Sequence, residues 1–202
     1  MKNYLMAFFI VFQTISFAQS DTIDLSSGEQ IFLPSLDFGY IYNASDFLSG
    51  SVIVKTSIEY RFRNNNDVFI RLNYDTHNAD YELENISNLT NIIKGTVSFS
   101  DVLLGGGYRF GDATSRYFVM MQAGVRFYDY PQAFQDGIII NIENASRNIF
   151  TTRLTFGYEY YLNEKSAFTF DLFQNQVWKE EDFWTENGRS FGVALGFITS
   201  LF

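Results

Sequence analysis

Residues 54–63 read Val-Lys-Thr-Ser-Ile-Glu-Tyr-Arg-Phe-Arg, and their character changes sides at every step. Val54, Thr56, Ile58, Tyr60 and Phe62 fall on one parity; Lys55, Ser57, Glu59, Arg61 and Arg63 fall on the other. Successive side chains of a strand point to opposite faces, so this segment is a strand with one apolar and one charged face. The same period recurs in eight segments, near 35–44, 51–63, 67–76, 95–110, 116–128, 147–162, 166–178 and 189–202. In the sixth, Leu154, Phe156, Tyr158 and Tyr160 alternate with Arg153, Thr155, Gly157 and Glu159. Two closed sheets satisfy such a pattern: a soluble barrel with its apolar face inside, or a membrane barrel with that face outside.

The connections separate the two. Links after the second, fourth and sixth strands are tight: Asn64-Asn65-Asn66, Gly111 to Ser115, and Asn163-Glu164-Lys165. Links after the third, fifth and seventh are long and polar, near 77–94, 129–146 and 179–188, while the first, Ser45 to Gly50, is short. Short turns on one rim and long connections on the other are the habit of a membrane barrel. Aromatic side chains on the apolar parity add to this. Phe38, Tyr60, Phe62, Tyr108, Phe110, Tyr117, Tyr158, Tyr160, Phe168 and Phe170 gather towards the short-turn rim, and Tyr42, Tyr74, Phe127, Trp178 and Phe191 towards the other. Rings at both ends of an outward face form girdles at the headgroup level. The fold class expected is therefore all-β: an eight-stranded antiparallel up-and-down transmembrane β-barrel.

The N-terminus reads as a secretory signal. Lys2 is followed by the apolar run Tyr4–Val11, and Ser16-Phe17-Ala18 supplies small residues for cleavage after Ala18. The expected division is a signal peptide over 1–18, a short periplasmic segment over 19–34 and the barrel over 35–202. No cysteine is present, so neither a disulfide framework nor a lipidated cysteine follows the signal. With a net charge of −9, the chain lacks the basic surface that releases phosphate counterions, which argues against nucleic acid as a partner. No motif for a cofactor or a metal is found, and the acidic residues of the long connections lack the spacing of a calcium loop.

The signal peptide, the eight amphipathic strands, the strand end Gly105-Gly106-Gly107-Tyr108-Arg109-Phe110 and the terminal Phe202 resemble the small outer-membrane barrels of Gram-negative bacteria. The likeness is to the OmpA/OmpX-like architecture, and especially to the outer membrane beta-barrel protein families of Bacteroidota. That resemblance implies an integral outer-membrane protein with periplasmic termini and extracellular long loops. It also implies contact with outer-membrane lipid and lipopolysaccharide, and with the barrel-assembly machinery during biogenesis. One departure stands at the end: Phe191, Val193, Leu195, Phe197, Thr199 and Leu201 share a parity, and Phe202 is out of step with them.

An eight-stranded barrel encloses a space that side chains can fill. The inward parity carries Lys55, Glu59, Arg61, Arg63, Arg71, Asp75, Asp101, Arg109, Arg126, Arg153, Glu159 and Asp171. Buried charges persist only when paired, so these are expected to interlock across the lumen as an ion-pair network. Gly105 and Gly107 share that face, where missing side chains leave room for charged neighbours and let the strand coil. Outside, Ile138, Ile139 and Ile140, with Phe183 and Trp184, are the candidates for recognition of a protein partner at the outer loops. His77, beside Asp75 and Asp80, is the sole histidine and has no adjacent serine, so catalysis is not expected. A structural or surface-recognition role is the leading expectation. The alternatives are a narrow ion or solute channel and a subunit of a larger export or gliding assembly, with a lipid-modifying enzyme last.

Overall fold

The computed structural model describes residues 30–34, 36–62, 65–83, 93–136, 139–178 and 188–200, and the regular structure among them is antiparallel β. Its segments are β1 Gln30–Pro34, β2 Asp37–Asn43, β3 Ser51–Phe62, β4 Asn65–Leu83, β5 Ile93–Gly111, β6 Ser115–Asp136, β7 Ile139–Asn163, β8 Ser166–Val177 and β9 Arg189–Ser200. From β2 to β9 each pairs with its neighbours in sequence, and β9 closes onto β1 and β2. The sheet is a ring.

β1 and β2 are two halves of one wall strand, since both lie between β3 and β9. Gln30 stands opposite Arg61 and Asp37 opposite Lys55, so the register slips by one residue between the halves. The slip falls beyond Pro34, which has no N–H to give a ladder. Eight wall strands therefore make the ring. Among the described residues the wall already includes Gln30, ahead of the boundary at 35 read from alternation, because the slip breaks the period-two pattern there.

The alternation becomes a difference between two surfaces. Along β3 the odd residues from Ser51 to Arg61 face inward and are buried, and Val52, Ile58 and Phe62 face outward and are exposed. The outward face is aliphatic at mid-height, with Leu104, Met121, Leu154 and Leu195 each more than half exposed. Aromatic rings border this band. Towards the tight turns, Tyr117 stacks against Phe110 and tilts against Tyr158. Towards the other rim stand Tyr40, Tyr42, Tyr74, Phe127, Phe150, Trp178 and Phe191, all exposed. An apolar band between two aromatic girdles is the surface that a bilayer solvates.

Beyond the upper girdle the strands continue and the polarity inverts. β4 and β5 stay paired from Thr76↔Ser100 to Leu83↔Ile93, and β6 and β7 from Asp129↔Ser146 to Asp136↔Ile139. The described residues of 77–94 and 129–146, stretches expected as polar loops, are thus strand. Here Thr76, Asn78, Asp80, Glu82, Lys94, Thr96, Ser98 and Asp129 point outward, away from the lumen. Ala79, Tyr81, Val97, Phe99, Tyr128, Tyr130 and Ile149 point inward and form a buried cluster with Leu48 and Val177. Polar outside and apolar inside is the arrangement of a sheet in water.

Candidate functional site

The lumen is where the sequence-predicted residues converge, and its side chains lie in layers. Nearest the tight turns, Tyr161, Ala167 and Ile198 form a small apolar floor. Above it sits a tier of three guanidinium groups around two carboxylates. Glu59 accepts from Arg61 Nε at 2.7 Å, Arg71 Nε at 2.8 Å and Arg109 Nη2 at 2.6 Å. Glu159 accepts from Arg109 Nε and Nη2, both at 2.9 Å, and from the Tyr161 hydroxyl at 2.6 Å. Arg61 and Arg71 each lie 3.5 Å from Glu159 as well. Sharing acceptors lets one side chain, once fixed, hold several partners, which is how buried charges are tolerated.

Rings support the cations. Arg109 lies 3.8 Å from the centroid of Phe69, and Arg71 4.8 Å from that of Phe118. Each ring needs a glycine. A Cβ on Gly107 would overlap the Phe69 ring, and one on Gly157 the Phe118 ring. The space at Gly107 is therefore filled by an aromatic ring that carries an arginine, not by the charged group expected there. At Gly105 the backbone of β6 closes in, so a side chain would meet the Met121 carbonyl and the Gln122 Cα.

A second tier follows. Lys55 donates to Asp171 at 2.6 Å and lies 3.7 Å from Asp37. Arg126 is bidentate on Asp101, at 2.7 and 2.8 Å. Arg153 bonds Asp75 and Asn175 and reaches Asp101 at 3.4 Å. Phe173 lies beneath both Lys55 and Arg153, at 5.1 and 4.7 Å. The buried aromatic cluster lies above this tier, where the Tyr81 hydroxyl donates to the Pro131 carbonyl at 2.7 Å.

The structure brings together Lys55, Glu59, Arg61, Arg71, Asp75, Asp101, Arg109, Arg126, Arg153, Glu159 and Asp171, all at most 3% exposed. Arg63 lies outside the described residues. Asp37 escapes the charge pattern of the sequence, though it stands directly opposite Lys55. With Asp37 counted, the described lumen buries six cationic and six carboxylate side chains. Among the described lumen residues, therefore, charge balances. Tyr161, Gln122 and Asn175 are further members that the charge pattern could not reveal.

His77 is not a surface histidine: it is 4% exposed and stacks on Phe99 with centroids 4.7 Å apart. Among the described residues neither of its ring nitrogens has a hydrogen-bond partner. Of the recognition candidates, Ile139 and Ile140 lie in β7 opposite Asp136 and Gln135. Ile138, Phe183 and Trp184 lie outside the described residues, as does Phe202.

The ring resembles solved structures. Neisserial surface protein A superposes with a TM-score of 0.55 at 12% identity, covering 87% of this chain and 98% of that one. The outer membrane protein OprG from Pseudomonas aeruginosa gives 0.56 at 10% identity, covering 87% and 97%. The fold is that of the small outer-membrane β-barrels. No protein-family model matches the chain, and no curated relative matches it in sequence. Shared fold at such low identity leaves the task to be argued from this chain's own lumen and rim.

Proposed function

We propose that this protein is an integral outer-membrane barrel whose lumen serves stability rather than transport, and whose long hairpins present a recognition surface outside the cell. The observation that carries this reading is the charge balance among the described lumen residues, six cations and six carboxylates, with an apolar floor below and an aromatic cap above. An ion crossing this path must displace paired groups and then pass two layers lined mainly by aliphatic side chains and aromatic rings. The inversion of polarity beyond the upper girdle supports the second half of the proposal. Strands built for water on their outer face belong in an aqueous space, with lipopolysaccharide and protein partners within reach. The tight turns and the termini then lie in the periplasm.

Planar-bilayer recordings of the refolded protein test the lumen, and the expected trace is flat at both voltage polarities. Discrete, ion-selective steps would overturn the sealed reading and support a narrow conduit. That second reading has one observation in its favour: Asp37 Oδ1, Asp75 Oδ1, Asp171 Oδ1 and Thr155 Oγ1 are buried without a protein partner, as groups holding lumen water would be. The recognition half is tested by crosslinking and co-purification from native membranes with the β6–β7 hairpin intact or shortened. A partner that is captured equally by both forms would refute a role for the hairpin.

A further inference from the structure

The buried side chains along β4 run Asp75, His77, Ala79, Tyr81, so His77 stands between the upper ion-pair tier and the apolar cluster of the hairpins. It lies above the upper girdle, yet it is buried, and its ring stacks on Phe99, a member of that cluster. Neither Nδ1 nor Nε2 has a hydrogen-bond partner among the described residues. A phenylalanine would fill the same place without burying unpaired polar atoms. What an imidazole can do there, and a hydrocarbon ring cannot, is accept a proton.

The groups around the ring resist that proton. Two guanidinium groups bear on it, Arg126 of β6 and Arg153 of β7, against one carboxylate, Asp101 of β5. Asp101 is already committed, to Arg126 at 2.7 and 2.8 Å and to Arg153 at 3.4 Å. On β4 itself, Asp75 is bonded by Arg153, and its remaining Oδ1 receives nothing from His77. The residue opposite on β3 is Ile53, and the next inward charge there, Lys55, is held by Asp171 of β8. Tyr128 of β6 lies tilted against the other side of this group, on Phe99. Burial first, and Arg126 second, push the imidazole pKa down to about 3, with Asp101 opposing and Arg153 adding to the effect. In its place on Phe99, His77 is neutral.

We propose that His77 is an acid-operated latch on the hairpins: on taking up a proton it leaves Phe99 and loosens the apolar cluster above the girdle, while the ion-pair tiers below stay folded. Water outside supplies the proton, one ring nitrogen accepts it, and the cation so formed must reach water. Below it stand Arg126 and Arg153, so the way out is upward, past Ala79 and Tyr81 on β4 and Val97 and Phe99 on β5. None of these cluster members carries a charge that could hold the cation inside. A histidine whose folded pKa lies below its ordinary 6.5 stabilises the closed cluster fully above that pH, and the contribution is lost as pH falls towards 3. Acidic surroundings thus release the inner aromatic face of the hairpins, Phe99, Tyr128 and Tyr130, which neutral surroundings keep covered. The latch does not depend on what the hairpins bind.

Amide exchange of the full-length protein refolded into phosphatidylcholine vesicles tests the latch, with protection factors corrected for intrinsic rates and compared at about pH 7 and about pH 4.5. At the lower pH the amides of Ala79, Tyr81, Val97 and Phe99 should lose protection by about a hundredfold, roughly tenfold for each unit below 6.5. Amides beside the lower tier, at Glu59, Arg109 and Glu159, should keep theirs. His77→Phe, which preserves a ring against Phe99, should give the same protection at both pH values. His77→Gln keeps a polar group that cannot titrate; it should loosen the cluster equally at both, and it carries the test if His77→Phe does not fold. An acid-induced loss of wild-type size in either variant would overturn the latch. So would a wild-type cluster indifferent to pH, or a loss spread evenly into the lower tier.

Discussion

Glu59→Gln tests the lumen network most directly, because it removes a charge and leaves the shape. Glu59 accepts from three guanidinium groups, with donors between 2.6 and 2.8 Å. Glu159 is held less closely: Arg109 donates twice at 2.9 Å, Tyr161 once at 2.6 Å, and Arg61 and Arg71 stand off at 3.5 Å. Either substitution leaves three cations around one carboxylate in a site with 0% exposure at Glu59, Glu159 and Arg109. Breaking a buried pair by removing one partner costs about 3–5 kcal/mol, and each charge-assisted hydrogen bond accounts for about 1.5–3 of that. Glu59→Gln, facing three close cations, should therefore cost about 4 kcal/mol, and Glu159→Gln, with one close cation, about 2–3 kcal/mol. Urea titration of protein in lipid vesicles, followed by tryptophan fluorescence and by heat-modifiable mobility, measures both. Adding Arg109→Met to Glu159→Gln restores the balance of the tier, so the double variant should be less destabilised than the sum by about 2 kcal/mol. A loss below about 1 kcal/mol for Glu59→Gln would mean that solvent, not the network, carries these charges. A larger loss at Glu159 than at Glu59 would refute the assignment of the acceptors.

Three further outcomes follow from the packing. Leu154→Arg, in the middle of the apolar band, should cost about 2–4 kcal/mol in vesicles, whereas Asn148→Arg above the girdle should cost less than about 1 kcal/mol; equal costs would misplace the bilayer. Gly157→Leu should prevent folding, because the Phe118 ring occupies that space, and adding Phe118→Ala should recover heat-modifiable mobility by vacating it. Tyr81→Phe removes the bond to the Pro131 carbonyl and should cost about 1 kcal/mol in the urea titration, with faster amide exchange confined to the two hairpins.

Parity alone makes the membrane-spanning part legible. Lys55, Arg71, Asp101, Arg126 and Glu159 can be assigned to the lumen without knowing a single contact, because a charged side chain on an otherwise aromatic strand has only one face to turn to. What parity cannot give is partnership. Arg109 and Glu159 lie 50 residues apart, and their meeting depends on the slant of the ladder around the ring. Nor can it place the aromatic rings inside. Phe69, Phe118 and Phe173 sit on the polar parity, where a phenylalanine looks like an error until the glycine beneath it and the cation above it are seen together. Gly192 accommodates Phe173 as Gly157 accommodates Phe118, so the inward glycines are the legible trace of rings that the pattern otherwise hides.

The hairpins look like loops in the sequence for a reason that the same rule explains. From Thr76 upward on β4, the residues that alternate are still alternating, but Asn78, Asp80 and Glu82 have replaced Ile70, Leu72 and Tyr74 on the outward face. Inside, Ala79 and Tyr81 have replaced Arg71, Asn73 and Asp75. A reading that follows one face for hydrophobicity sees the strand end at the point where its solvent changes. Following both faces, the strand continues and the crossing point marks the boundary of the bilayer, near Asp75 on β4, Asp101 on β5, Phe127 on β6 and Phe150 on β7. Water demands the opposite arrangement from lipid, so a strand that serves both must change sign once. That single change of sign defines the part of each hairpin that stands clear of the membrane.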